Sequence, residues 1–409
     1  MTSWHEIIDP AIYSARRFTE LSASEGTKPL PYLDTKGIPS VGIGFNLRAG
    51  TVRTAVFQAM GINAQDPRLA GNAAAQVAEQ GYINQLTAAV QATYANDAAL
   101  QQALNNILIA RSIDPLLAGQ AYIASRNSFE MQPQEIRTTF DQIIPDYENL
   151  VDQWVPGIPT SNERLALVSL AYNNLVGFNV DGSFKSANLR QAILADNRAE
   201  AWYQIRYGSN GGQSPSRGIA NRRYAESDLF GLYKGPDQNN ATPDQAEAIS
   251  IMRMYTTHRD QIRAYESEFS PLTTIGGVVP SHSNDFNISF SRTRLISDYA
   301  QFAGAPVVSG EVLVGSNIGQ FDGLPENDLI LGEARYNNLH GQGGDDILYG
   351  NIVVDDLYGD VGNDVLFGES GNDALSGGVG DDRRRSPQLS ESSHGSDSRW
   401  ARVYGQPIH

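Results

Sequence analysis

Two sets of oxygen-bearing side chains are spaced so that they could do chemistry. In the first, Glu25 and Asp34 lie nine residues apart and the hydroxyl of Ser40 follows six residues later, in the order Glu-Gly, Tyr-x-Asp, Gly-x-x-Ser, Gly-x-Gly. Hydrolysis of a glycosidic bond needs such a pair: one carboxyl group protonates the leaving oxygen, and a second carboxylate activates water or attacks from the opposite face. In the second set, seven glycines recur every nine residues (Gly323, Gly332, Gly341, Gly350, Gly359, Gly368 and Gly377). Five positions after each comes Asp328, Asn337, Asp346, Asp355, Asp364, Asp373 or Asp382. Carboxylate and carbonyl oxygens at that density suit a hard divalent cation, and Ca²⁺ is the expected cofactor, with the six aspartates of this column as its ligands.

A third column fixes what must hold the second set. Two residues beyond six of these positions stand Ile330, Leu339, Leu348, Leu357, Leu366 and Leu375. Glycines at tight turns, acids between successive turns and one apolar residue pointing into a narrow core define a parallel β-solenoid. The units Gly341-Gln-Gly-Gly-Asp-Asp346-Ile-Leu and Gly359-Asp-Val-Gly-Asn-Asp364-Val-Leu resemble the hemolysin-type (RTX) calcium-binding repeat. Residues 323–382 carry thirteen acids against Arg335 alone, which is −12 of the chain's −16. A stretch so charged and so poor in apolar residues is expected to stay expanded until calcium folds it.

The first set needs a helix end and a hairpin. Ile8, Ile12, Ala15, Phe18 and Leu21 predict a helix over about 6–24, and Gly37 marks the turn between short strands at 29–34 and 38–45. This join resembles the bacteriophage-type lysozymes of glycoside hydrolase family 24. Two further blocks extend the resemblance: Arg164 to Phe178, a buried helix running into an Asn-Gly turn, and Gly218 to Phe230, an Arg-Arg-x-x-Glu helix. The resemblance implies a muramidase that inverts at the anomeric carbon. In it Glu25 is the general acid, in drier surroundings than Asp34; Asp34 is the base or electrostatic partner, and Ser40 positions water. Arg222 or Arg223 pairs with Glu25, or with Glu226 along its own helix. Ser40 stands where the family usually has Thr, Phe45 where a histidine often follows, and the stretch 46–160 is about twice the usual length.

The expected fold is therefore α+β: a mainly helical lysozyme-like domain with a small β-hairpin lobe, then a parallel β-solenoid. The domains are residues 1–235 with a helical insertion over about 50–160, a helix and linker over 236–322, the calcium-binding roll over 323–382, and a disordered basic tail over 383–409. A hydrophobic content of 41% can fill a core in at least one of these domains. The absence of cysteine excludes disulfides and thiol catalysis, and the six histidines show no zinc-enzyme spacing. An acidic chain with pI about 4.8 disfavours a nucleic-acid partner. No apolar run is long enough to span a bilayer, and no cleaved signal peptide is visible. The expected localisation is extracellular, by a type I system. The expected partner is bacterial peptidoglycan, with an immunity protein as a further candidate and a monomeric state. The competing expectation is an adhesin or glycan-binding protein whose lysozyme-like half has lost activity.

Overall fold

The computed structural model describes residues 4, 7–117, 126–208, 217–269, 284–300, 304–315, 320–385 and 401–404. The chain divides into two compact units, Ile7–Lys185 and a second from Ser186 onward.

In the first unit, helix α1 spans Pro10–Glu25 and is capped by the Asp9 carboxylate, which accepts from the amides of Ala11 and Ile12 at 2.9 and 3.4 Å. The helix ends at Gly26, whose φ of 70° turns the chain into an antiparallel sheet. That sheet has the order β1 (Lys28–Leu33), β2 (Pro39–Gly42), β3 (Phe45–Asn46). The expected insertion is helical: α2 (Gly50–Ala59), α3 (Ala73–Gln91), α4 (Asp97–Ser112) and α5 (Pro133–Trp154). Pro133 opens α5, where its missing amide costs nothing, but Pro145 lies inside the helix rather than ending it. Helix α6 (Asn162–Tyr172) is buried on all sides from Asn162 to Ala171. Its Arg164 joins Glu148 of α5 at 2.5 Å, and the other Glu148 oxygen accepts from Tyr13 and Arg17 of α1 at 2.8 Å each. One buried carboxylate thus locks three helices, and burial beside that negative charge pushes the Tyr13 phenol far up.

The second unit begins earlier than the expected boundary at 235. Its helices are α7 (Ala187–Leu194), α8 (Arg198–Arg206), α9 (Arg217–Phe230), α10 (Gln245–Phe269) and α11 (Asn284–Tyr299). Helices α7 and α8 are separated by a break at Asp196 (φ 58°), and the Asn197 side chain accepts from the amide of Glu200 to start α8. The boundary moves because α8 packs on α10. Tyr203 stacks on His258 at 3.6 Å, Tyr207 donates to Glu266 at 2.7 Å, and the fully buried Arg206 lies over the Tyr224 ring at 4.3 Å. Helix α11 occupies part of what reads in the sequence as a connection. Among the described residues no helix is long and apolar enough to cross a membrane.

A two-sided parallel solenoid follows. One side holds β4 (Val312–Val314), β6 (Leu329–Leu331), β8 (Ile347–Tyr349), β10 (Val365–Phe367) and β12 (Asp381–Arg385). The other holds β5 (Gln320–Asp322), β7 (Asn338–His340), β9 (Asp356–Tyr358) and β11 (Ala374–Ser376). Ile330 pairs with Leu348 and Leu348 with Leu366, while Leu339 pairs with Leu357 on the opposite side, so one turn takes eighteen residues. Each nine-residue repeat is a half-turn, so the roll has about four turns. The roll starts at Val312 rather than 323. It also continues beyond 382: Leu366 pairs with Arg384, and β13 (Ala401–Tyr404) runs antiparallel to β12. Residues 383–385 and 401–404 of the expected disordered tail are therefore strands, and the rest of that tail lies outside the described residues.

Helix α10 closes the roll's first edge. Val314 donates its amide to Thr256 at 3.1 Å, Arg259 reaches Glu311 at 3.3 Å, and Arg263 also pairs with Glu311. An open sheet edge invites pairing with other chains, and these contacts cover it.

Candidate functional site

Glu25 is the last residue of α1, where the helix axis delivers its carboxylate toward the sheet. Gly42 and Gly44 make the β2–β3 turn with φ of 67° and 83°. A Cβ at Gly42 would strike the Phe45 ring at 2.7 Å, and one at Gly44 would sit 3.6 Å from Glu25 Oε2. The Gly-x-Gly motif is thus a tight turn whose second glycine brings bare backbone against the Glu25 carboxylate. Asn173, just past the end of α6, donates its amide to Glu25 Oε1 at 3.3 Å and to the Ser169 carbonyl at 2.9 Å. Tyr172 donates to the Ile43 carbonyl at 3.0 Å and packs against Tyr147 at 5.0 Å. Burial, then the charges of Asp146 and Glu25, raise the Tyr147 phenol above its ordinary value. The partner Asn173 was visible in the sequence only as part of an Asn-Gly turn, because a contact 148 residues away leaves no local signal.

Asp34 follows directly on β1. Its Oδ1 accepts from the amides of Lys36 and Ile38, both at 2.8 Å, which makes it the residue that pins the hairpin turn. Ser40 lies on β2, opposite Tyr32; it is buried and donates to the Ile38 carbonyl at 3.3 Å. Glu25 and Asp34 are both half-buried, so the expected contrast in dryness between them is not present in burial. Arg223 pairs with Glu226 on α9.

The aspartate column forms two ladders, one along each side of the roll: Asp328, Asp346, Asp364 and Asp382, and opposite them Asn337, Asp355 and Asp373. In each ladder one carboxylate oxygen accepts the amide of the residue one turn earlier: Asp328 N to Asp346 at 2.7 Å, Asp346 N to Asp364 at 2.8 Å and Asn337 N to Asp355 at 2.7 Å. The second oxygens of Asp346, Asp355, Asp364 and Asp382 are buried without a hydrogen-bond partner. Burial, offset in part by those amides and reinforced by neighbouring acids, pushes Asp346 up to about 9, Asp364 to about 7 and Asp355 to about 6. An orphaned buried carboxylate oxygen calls for a cation or a proton. Asp328 differs: its Oδ1 accepts from Glu311 and its Oδ2 from Leu324, both at 2.6 Å, so its oxygens are already engaged by backbone at the capped edge.

The glycine column supplies the remaining donors. A Cβ on Gly341 would lie 2.3 Å from Asp346 Oδ2 and 2.7 Å from the Gly359 carbonyl, and one on Gly359 would lie 2.2 Å from Asp364 Oδ2 and 2.6 Å from the Gly377 carbonyl. Carboxylate and carbonyl oxygens therefore face one space in turn after turn. Among the described residues no three His, Cys, Asp or Glu side chains converge on a single point. Carboxylate and main-chain carbonyl oxygens together would hold a cation here, a donor set that Ca²⁺ accepts readily.

Residues 322–352 and 353–383 match the family described as RTX calcium-binding nonapeptide repeat (4 copies). No curated protein and no solved structure matches the chain. Residues 322–383 are thus calcium-binding RTX repeats folded as a β-roll, and Ca²⁺ is the ion that the residues of the two ladders fit.

Proposed function

We propose that the chain is a secreted muramidase that hydrolyses the β-1,4 bond between N-acetylmuramic acid and N-acetylglucosamine in bacterial peptidoglycan, and that calcium folds its C-terminal roll. The observation that carries this reading is the arrangement at the end of α1. Glu25 is held by Asn173 against the Gly44 turn, and Asp34 directly follows the first strand of the hairpin that comes next. Here Glu25 is the proton donor to the leaving oxygen, Asp34 uses its free Oδ2 as base or electrostatic partner, and Ser40 supports the water. A chain whose roll stays unfolded at low calcium suits passage through a type I channel, a route typical of RTX proteins, with folding outside where calcium is abundant.

The test is Glu25→Gln, assayed by mass spectrometry of the muropeptides released from purified peptidoglycan. An amide keeps the shape but has no proton to deliver, so the loss should be at least about 100-fold with circular dichroism unchanged. Activity within tenfold of the unaltered protein rejects Glu25 as the acid. The engagement of Asp34 Oδ1 by the turn favours one alternative, a glycan-gripping protein without turnover. Sedimentation with peptidoglycan and no release of muropeptides identifies it.

A further inference from the structure

Within the aspartate ladders one position carries no carboxylate. Asn337 sits one turn before Asp355, and its side chain lies where theirs do: a Cβ on Gly332 would be 2.8 Å from Asn337 Nδ2 and 2.4 Å from the Gly350 carbonyl. The same construction on Gly350 meets Asp355 Oδ2 at 2.6 Å and the Gly368 carbonyl at 3.0 Å. The amide nitrogen of Asn337 therefore takes the place of the orphaned carboxylate oxygen. Its surroundings are all oxygen. Nδ2 lies 2.9 Å from the Glu333 carbonyl, 2.6 Å from the Arg335 carbonyl, 2.9 Å from the Gly350 carbonyl and 2.8 Å from Asp355 Oδ1. The Asn337 Oδ1 meanwhile accepts from the Glu333 amide at 2.9 Å, which fixes which end of the side chain is nitrogen.

An amide group has two hydrogens, and here four acceptors surround it, a shell richer in oxygen than a hydrogen-bond donor needs and like that of a bound cation. Where aspartate stands in the corresponding frames, oxygen faces oxygen and the contact is repulsive until something positive enters. Where Asn337 stands, the positive end of an amide dipole is already built in. We propose that the Asn337 carboxamide is a covalent stand-in for a calcium ion, so that this half-turn closes without metal and the ladder of Asn337, Asp355 and Asp373 binds one ion fewer than an all-aspartate ladder of equal length. The half-turn at Asn337 then serves as a metal-independent step near the helix-capped end of the roll, from which calcium-dependent turns build toward the C-terminus.

The experiment counts calcium ions on the full-length protein by equilibrium dialysis with ⁴⁵Ca²⁺. Hydrogen exchange of peptides covering 332–350 is followed in calcium-free buffer alongside. Asn337→Asp should bind one more ion per chain than the unaltered protein and lose protection at 332–350 when calcium is withdrawn. The reciprocal change Asp355→Asn should bind at least one ion fewer and gain protection in calcium-free buffer. An unchanged ion count in Asn337→Asp that still folds with calcium overturns the proposal. If Asn337→Asp does not fold at all, Asp355→Asn decides: a count equal to that of the unaltered protein, or a lower count without gained protection in calcium-free buffer, overturns it, and a lower count with gained protection supports it.

Discussion

Removing calcium and raising the pH should act together on the roll, and the buried aspartates set the size of the effect. Their ordinary value of 3.8 is pushed by burial to about 9 at Asp346, about 7 at Asp364 and about 6 at Asp355 and Asp328. Without metal, the folded roll holds protons on these groups that the unfolded chain releases. Between the unfolded and folded values each such group makes folding less favourable as pH rises, by about 1.4 kcal/mol per pH unit per retained proton. From pH 7 to 8 Asp346 still holds its proton while Asp364 gives up the remainder of its own, so the metal-free roll should lose between about 1 and 2 kcal/mol. From pH 5 to 6, where up to four groups hold protons, the slope is steeper. The assay is hydrogen exchange on calcium-stripped full-length protein at pH 5, 6, 7 and 8, corrected for intrinsic rates and read on peptides within 323–382. Saturating calcium should flatten the dependence over the upper part of this range, because the ion replaces the proton as counter-charge. Metal-free protection that is present at pH 5 and stays level or rises up to pH 8 refutes the account of the ladders as buried carboxylates awaiting a cation.

Arg111→Met should destabilise the first unit by about 3–5 kcal/mol, because it strands Glu79 fully buried after removing bonds of 2.7 and 2.8 Å; urea denaturation measures this, and a cost below about 1 kcal/mol contradicts it. Leu348→Ala, at the middle of the roll's inner column, should cost about 2–5 kcal/mol in calcium and raise the calcium midpoint, as followed by exchange at 323–382. If the chain is an inverting muramidase, proton NMR of fresh product should show the α-anomer first; initial release of the β-anomer reassigns Asp34 as nucleophile.

What the sequence revealed depended on how local each signal was. Helix α1, the hairpin and the inner column of leucines follow from short periods and turn residues, and they stand where the periods put them. The two-sidedness of the roll was also written there, one level up. Strand triplets alternate between apolar flanks, as in Ile347-Leu-Tyr349 and Val365-Leu-Phe367, and polar flanks, as in Asn338-Leu-His340 and Asp356-Leu-Tyr358. From β4 to β10 the triplets on one side of the roll are buried at all three positions, which a nine-residue period alone conceals. The boundary at Lys185 was not legible, since it depends on Tyr203, Arg206 and Tyr207 meeting residues of α10 more than fifty positions away. The start of the roll at Val312 was hidden because its first strand leans on α10 and needs no glycine column. At the carboxylate pair, the helix end and hairpin were legible, but the hold of Asn173 on Glu25 and the use of Asp34 Oδ1 by its own turn were not.

A turn of eighteen residues built from two similar nines constrains how this roll can change length. Gain or loss of one nonapeptide keeps the leucine column inside and the glycines at the bends, so the core tolerates it. Every residue downstream, however, moves to the opposite side: the stacked pair Tyr349 and Phe367 would trade places with the stacked pair His340 and Tyr358. Only steps of two repeats preserve both surfaces. Duplications by pairs should therefore preserve both surfaces and both ladders, whereas a single inserted repeat would move every downstream aspartate onto the opposite ladder.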